Sequence, residues 1–182
     1  MQKILPIQMQ KRCCSNWCWA AVLASATPVL PNRSHPLPVD QPGWIDLAYG
    51  LQGCSGCCPG GCPDLAATCN LYGSMDQILY QAHLSSGVSQ QVAAVGFSGI
   101  AQQIEKRGHP VIAQIDYLPP SSGSHYLLIY GYESDTQTLV IGDPASGEGV
   151  AYLFSTYSTP GAYNTPGDQN EHGSWNSVYF FA

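Results

Sequence analysis

Cys13-Cys14-Ser15-Asn16-Trp17-Cys18-Trp19-Ala20-Ala21 sets a cysteine where a loop-like stretch turns into an apolar, alanine-rich run. The run continues through Val22, Leu23 and Ala24, and Pro28 and Pro31 stop it, so the pattern predicts a helix over about 17–27 with Cys18 at its start. A helix N-terminus offers unpaired N–H groups and the positive end of the helix dipole, and both favour thiolate over thiol. A lone cysteine is as readily a core residue or half of a disulfide, so the partners decide its role. They follow in order. Gly123-Ser124-His125-Tyr126-Leu127 opens an apolar stretch after a small-residue turn, and Val140-Ile141-Gly142-Asp143-Pro144 comes next. Cys, His and Asp are the residue types of a nucleophile, a base and a group that orients the base.

Composition narrows the class. A chain of 182 residues is one domain with room for a core. Net charge is −6 with only six Lys plus Arg and no basic cluster, which argues against a nucleic-acid partner. No apolar run approaches the length that spans a bilayer, so no membrane role is expected. The first residues, Met1-Gln2-Lys3-Ile4-Leu5-Pro6, lack the apolar core of a signal peptide, so an exported form would be a mature or trimmed one.

Eight cysteines stand at 13, 14, 18, 54, 57, 58, 62 and 69. Their density points to an oxidising compartment and a secreted protein. With Cys18 set aside as a thiol, seven remain, which allows at most three internal disulfides. Cys13 and Cys14 are natural partners for the Cys54–Cys62 loop, though pairing is not readable from spacing. The rival is a metal site built from Cys54, Cys57, Cys58, Cys62 and Cys69. Zinc sites usually separate two knuckles by a longer spacer, whereas these pairs are crowded among Gly and Pro, so no metal is expected.

The texture changes along the chain. Residues 4–10 read as extended and 32–43 as loop. Helical patterns fall at 44–49, at 64–68, at 74–84 with Ser74 as N-cap, and at 98–107 with Gly108 as the stop. Strand patterns follow at 111–115, 126–132, 138–141 and 150–154, and 175–181 is placed to close the sheet. Residues 158–173 are rich in Gly and Pro and read as a long surface loop. The expectation is one α+β domain over 1–182, with a helical lobe about 11–108 carrying the thiol and a β lobe about 109–182 carrying the imidazole.

The Asn16-Trp17-Cys18-Trp19-Ala20-Ala21 signature resembles papain-like cysteine peptidases. The closest likeness is to the compact bacterial group related to secreted plant-pathogen effector proteases and to double-glycine leader peptidase domains. The Pro6–Gln10 segment, His125 on its strand, Gly131-Tyr132 and Asp143-Pro144 match that group in order. The resemblance implies the two-lobed papain-like fold. It implies Cys18 as nucleophile, His125 as base, Asp143 as orienter and a glutamine ahead of the nucleophile as oxyanion donor. It also implies a peptide or protein substrate and no cofactor. The spacing departs from the family: seven residues separate Gln10 from Cys18 where five are usual, and Lys11-Arg12-Cys13-Cys14 reads as an insertion. Gln10 is the nearest glutamine and Gln8 the alternative. A monomer is expected.

Each role has a plainer reading. His125 also suits a satisfied core histidine, with His172 beside Glu171 and Trp175 as the second candidate base. Asp143 before proline is also a common turn former. Asn176 in Ser174-Trp175-Asn176-Ser177 loosely echoes papain's Asn-Ser-Trp in the wrong order and is taken as coincidence. The same triad serves an amidase, a deamidase or a transglutaminase-like acyltransferase. A disulfide-rich binding module with a vestigial triad is the alternative outside enzymes.

Overall fold

The computed structural model describes residues 1–30, 36–51, 54, 66–84, 89–119, 123–164 and 172–181. The elements run β1 (Gln2–Ile4), α1 (Cys18–Ala26), α2 (Gln41–Tyr49), α3 (Ala66–Cys69), α4 (Met75–Gln81), β2 (Ser89–Gln91) and α5 (Val92–Gln102). Then come β3 (Val111–Tyr117), β4 (Ser124–Glu133), β5 (Thr138–Asp143), β6 (Glu148–Leu153), α6 (Phe154–Tyr157), β7 (Tyr163–Asn164) and β8 (His172–Phe180). The protein is α+β, an arrangement compatible with a papain-like peptidase fold.

Local chemistry explains the boundaries. α1 stops at Ala26, and Pro28 sits in a single 3-10 turn, Thr27–Val29, that follows it. α2 starts earlier than the tryptophan pattern suggests. Asp40 caps it by accepting from the Gly43 N–H at 2.8 Å, and Pro42 falls in the first turn, where its missing N–H costs nothing. Gly50 ends α2 and Gly108 ends the π-turn Gln103–Arg107, both in the left-handed conformation. The helical pattern expected at 98–107 is therefore α5, kinked at Gly96, running into that π-turn.

Among the described residues all strand pairs are antiparallel, in the order β2-β8-β3-β4-β5-β6, with β1 also on β4 and β7 on β8. Two short strands from the first half, β1 and β2, thus join the sheet. β8 does not close an edge: it lies between β2 and β3. β4 is buried along almost its whole length because both of its faces are covered. Tyr126 and Leu128 pack with Ile112 and Tyr179 against α1, α2 and α4. Leu127 and Ile129 point the other way, to Ile115, Trp175, Ile100 and Ile104. α1 is apolar on every side and every one of its residues is buried, as befits a central helix.

Gly142 positions the segment ahead of the nucleophile. A Cβ there would lie 2.8 Å from the Met9 sulfur, so only glycine lets this segment cross the sheet beside the end of β5.

Candidate active site

Cys18 is the first residue of α1, His125 the second of β4 and Asp143 the last of β5. β4 and β5 are antiparallel, so the start of one meets the end of the other. Leu128 pairs with Gly142, and one step further sets Asp143 beside Leu127. Side chains alternate along a strand, so Asp143 shares a face with Leu127 and His125, at a diagonal that side chains span.

The side chains meet accordingly. His125 Nε2 and Asp143 Oδ1 are 2.8 Å apart. The Cys18 thiol lies close enough to His125 for the two to shift each other's protonation. With Nε2 engaged by Asp143, Nδ1 is the nitrogen left for sulfur. All three are buried: Cys18 is 7% exposed, His125 1% and Asp143 7%. Cys18 is the one free cysteine among the described residues.

Electrostatics follow from this packing. Burial pushes the Cys18 thiol up, but the hydrogen bond and charge of His125, the Tyr126 backbone N–H and the charge of Arg12 outweigh it, so its pKa ends below the ordinary value. Burial pushes His125 down, but Asp143 and Cys18 favour its charged form and raise it to about 9. Burial raises Asp143, while His125, the Tyr163 hydroxyl and the Ala145 N–H hold it below the usual carboxylate range. The favoured state is a thiolate–imidazolium pair backed by a carboxylate.

The nucleophile loop is tied down from several sides. Trp17 Nε1 donates to Cys69 O at 2.7 Å and Trp19 Nε1 to Leu71 O at 3.1 Å. The Asn16 N–H donates to Asn70 Oδ1 at 2.8 Å, and Asn16 Nδ2 to Asn70 O at 2.9 Å. Cys69 is itself bonded to Cys54. The Arg12 N–H donates to Pro144 O at 2.8 Å, joining this loop to the turn after Asp143. Among the described residues no side chain caps α1, and the N–H groups of Cys18, Trp19 and Ala20 have no intrahelical acceptor.

Gln10 is not brought to Cys18. Its backbone N–H donates to Ser25 Oγ at 2.8 Å, and Ser25 lies roughly 10 Å beyond Cys18 along α1. Its side-chain Nε2 donates to Val39 O at 3.4 Å. Gln8 is exposed. A buried glutamine beside this stretch is Gln41, which the sequence did not single out. It accepts from the Cys13 N–H at 2.9 Å and donates to Lys11 O at 2.8 Å, gripping the inserted stretch from both ends. Tyr163 carries no sequence signal, because it falls in the segment that reads as surface loop, yet it is buried on a short strand.

The alternatives land elsewhere. Asn176 is exposed and donates to Asp116 Oδ2 at 2.5 Å. His172 opens β8 and pairs with Asn164. Cys54 and Cys69, two of the five sulfurs in the rival metal site, are bonded to each other rather than free to ligate. Cys13 and Cys14 are also disulfide-bonded. Cys57, Cys58 and Cys62 lie outside the described residues, and so does the expected pairing of Cys13 and Cys14 with that loop.

A buried thiol at a helix start stands beside an imidazole that a carboxylate holds from behind. The chain belongs to the Peptidase_C39 like family, whose model matches residues 4–171. That family supports a cysteine peptidase in general terms. No curated protein matches the sequence.

Proposed function

We propose that the protein is a papain-like thiol peptidase in which Cys18, His125 and Asp143 form the triad. The observation that carries this is the His125–Asp143 hydrogen bond, buried beside the Cys18 thiol at the start of a buried helix, with thiol and imidazole each favouring the other's charged form. The Cys18 thiolate attacks the scissile carbonyl carbon, a C–S bond forms, and the carbonyl electrons move onto oxygen. The first-turn N–H groups of α1 stabilise that oxyanion. Collapse breaks the C–N bond, and the imidazolium gives its proton to the leaving amine. His125 then takes a proton from water, the resulting hydroxide attacks the thioester, and Cys18 leaves as thiolate. Asp143 steadies the charged ring throughout. No cofactor enters these steps.

The Asn-Trp-Cys-Trp-Ala-Ala signature favours kinship with the secreted effector proteases within this class. The disulfides near the nucleophile favour export to an oxidising compartment. We take the substrate as a peptide or protein and the enzyme as a monomer. Incubation with a diverse peptide library, read by mass spectrometry, tests the reading. The parent is expected to yield cleaved peptides and Cys18→Ala none. Peptides that stay whole but change in mass would replace the peptidase with a deamidase or acyltransferase.

Two further outcomes are expected. Gln10→Ala should change kcat by less than about 3-fold, against the roughly 10²–10³-fold loss typical of a single side-chain oxyanion donor. Steady-state kinetics at saturating substrate checks this, and a hundredfold loss would return Gln10 to the oxyanion hole. The pH dependence should be asymmetric. Cys18 has a lowered pKa and His125 one raised to about 9, so the imidazolium persists up to about pH 9. As pH rises through about 9 the imidazolium loses its proton, so kcat/KM falls because the amine is no longer protonated. Alkylation of Cys18 needs only the thiolate and should not fall there. A parallel fall of both rates would contradict the assignment of His125 as the acid.

A further inference from the structure

We propose that Tyr163 is a positioning residue of this site, holding Asp143 Oδ2 so that Oδ1 faces His125. The inference rests on the triad reading above and goes one residue beyond it. Each oxygen of Asp143 has its own anchor. Oδ1 faces His125 Nε2 at 2.8 Å and accepts the Ala145 N–H at 2.7 Å. Oδ2 accepts the Tyr163 hydroxyl. A carboxylate turns about its Cβ–Cγ bond unless both ends are fastened, and here the second fastening is the phenol. A hydrogen bond from a neutral donor to a buried carboxylate is among the stronger ones in a protein.

Burial makes the contact matter. Tyr163 is 3% exposed, so its hydroxyl needs a partner, and Oδ2 without it would be a buried acceptor lacking a donor. The ring also forms one wall of the site. It lies 6.0 Å from the His125 ring at a 33° tilt, and Tyr117 stacks on His125 at 6.1 Å and 16°. The backbone places it there through a two-residue strand. β7 pairs Tyr163 with Gly173 of β8, and Gly173 fits there because it has no Cβ: one would lie 2.2 Å from Ile115 Cγ2. The Tyr163 hydroxyl acts only through Asp143.

The test uses the full chain and one cleavable peptide. Tyr163→Phe keeps the ring and removes only the hydroxyl. It is expected to lower kcat about 10-fold with KM within about 2-fold, the size of one charge-assisted hydrogen bond. The basic limb of kcat/KM should move down from about 9, because a loosened carboxylate supports the imidazolium less. In an Asp143→Ala background the same substitution should leave kcat unchanged, since the group it acts through is gone. A parent-like kcat in Tyr163→Phe, an unmoved basic limb, or an equal loss in both backgrounds overturns the proposal. Peptide cleavage by Cys18→Ala sinks the triad reading instead, and that result is obtained without touching Tyr163.

Discussion

Cys18→Ala and His125→Ala are each expected to lower kcat by about 10⁴–10⁶-fold, the scale at which a nucleophile and its base fail as one unit. Sulfur is the atom that bonds to the substrate, and no neighbour replaces it. His125 both stabilises the thiolate and carries the proton to the amine. The two variants should differ in stability. Cys18→Ala removes one buried sulfur and a charge, so its melting temperature should stay near that of the parent. His125→Ala leaves a buried carboxylate without its Nε2 partner, and Asp143 keeps only the Tyr163 hydroxyl and the Ala145 N–H. Breaking a buried pair on one side is costly, and a loss of about 3 kcal/mol is expected. Single-turnover mass spectrometry on a cleaved peptide, with thermal denaturation alongside, reads both quantities. Sustained turnover by Cys18→Ala would remove the thiol from the mechanism.

The three residues that meet were legible because each sits in a local context with a physical meaning. Cys18 stands where loop becomes apolar helix, and α1 begins there. His125 follows a small-residue turn, and β4 begins one residue before it. Asp143 precedes a proline, which cannot donate to a ladder, and β5 ends there. Such signals need only a few neighbouring residues, so they survive without tertiary information.

The remainder was hidden for equally physical reasons. β1 and β2 have three residues each, too few to show a period of two. Tyr163 is carried by a strand of two residues inside a Gly/Pro-rich stretch, and only its pairing with β8 moves it into the core. Gln10 is the glutamine nearest ahead of Cys18 along the chain. Counting fails where four inserted residues are drawn to Gln41 and the leading segment continues to Ser25. Spacing along the chain measures contour length, and a loop held by a buried amide and by disulfides does not convert contour length into distance.

Asp143→Ala is expected to lower kcat about 10³-fold, and Asp143→Asn only about 10-fold. The difference follows from the three donors that converge on this side chain: His125, Ala145 and Tyr163. Alanine removes the buried acceptor that these three donors share, and an unpaired buried group costs about 1–3 kcal/mol. It also loosens the turn in which the Gly147 N–H donates to Asp143 O, and which meets Arg12 through Pro144. Asparagine keeps one oxygen for the Nε2–H and the Ala145 N–H. Its amide nitrogen then faces Tyr163, whose hydroxyl can turn from donor to acceptor. Both imidazolium nitrogens are protonated in the resting pair, so no wrong tautomer is trapped. What asparagine lacks is the charge, and the basic limb of kcat/KM should therefore move below about 9. Asn176→Ala should be silent in the same assay, because Asn176 is spent on Asp116 at the surface. Parent-like turnover by Asp143→Ala together with a large loss in Asn176→Ala would transfer the orienting role to β8.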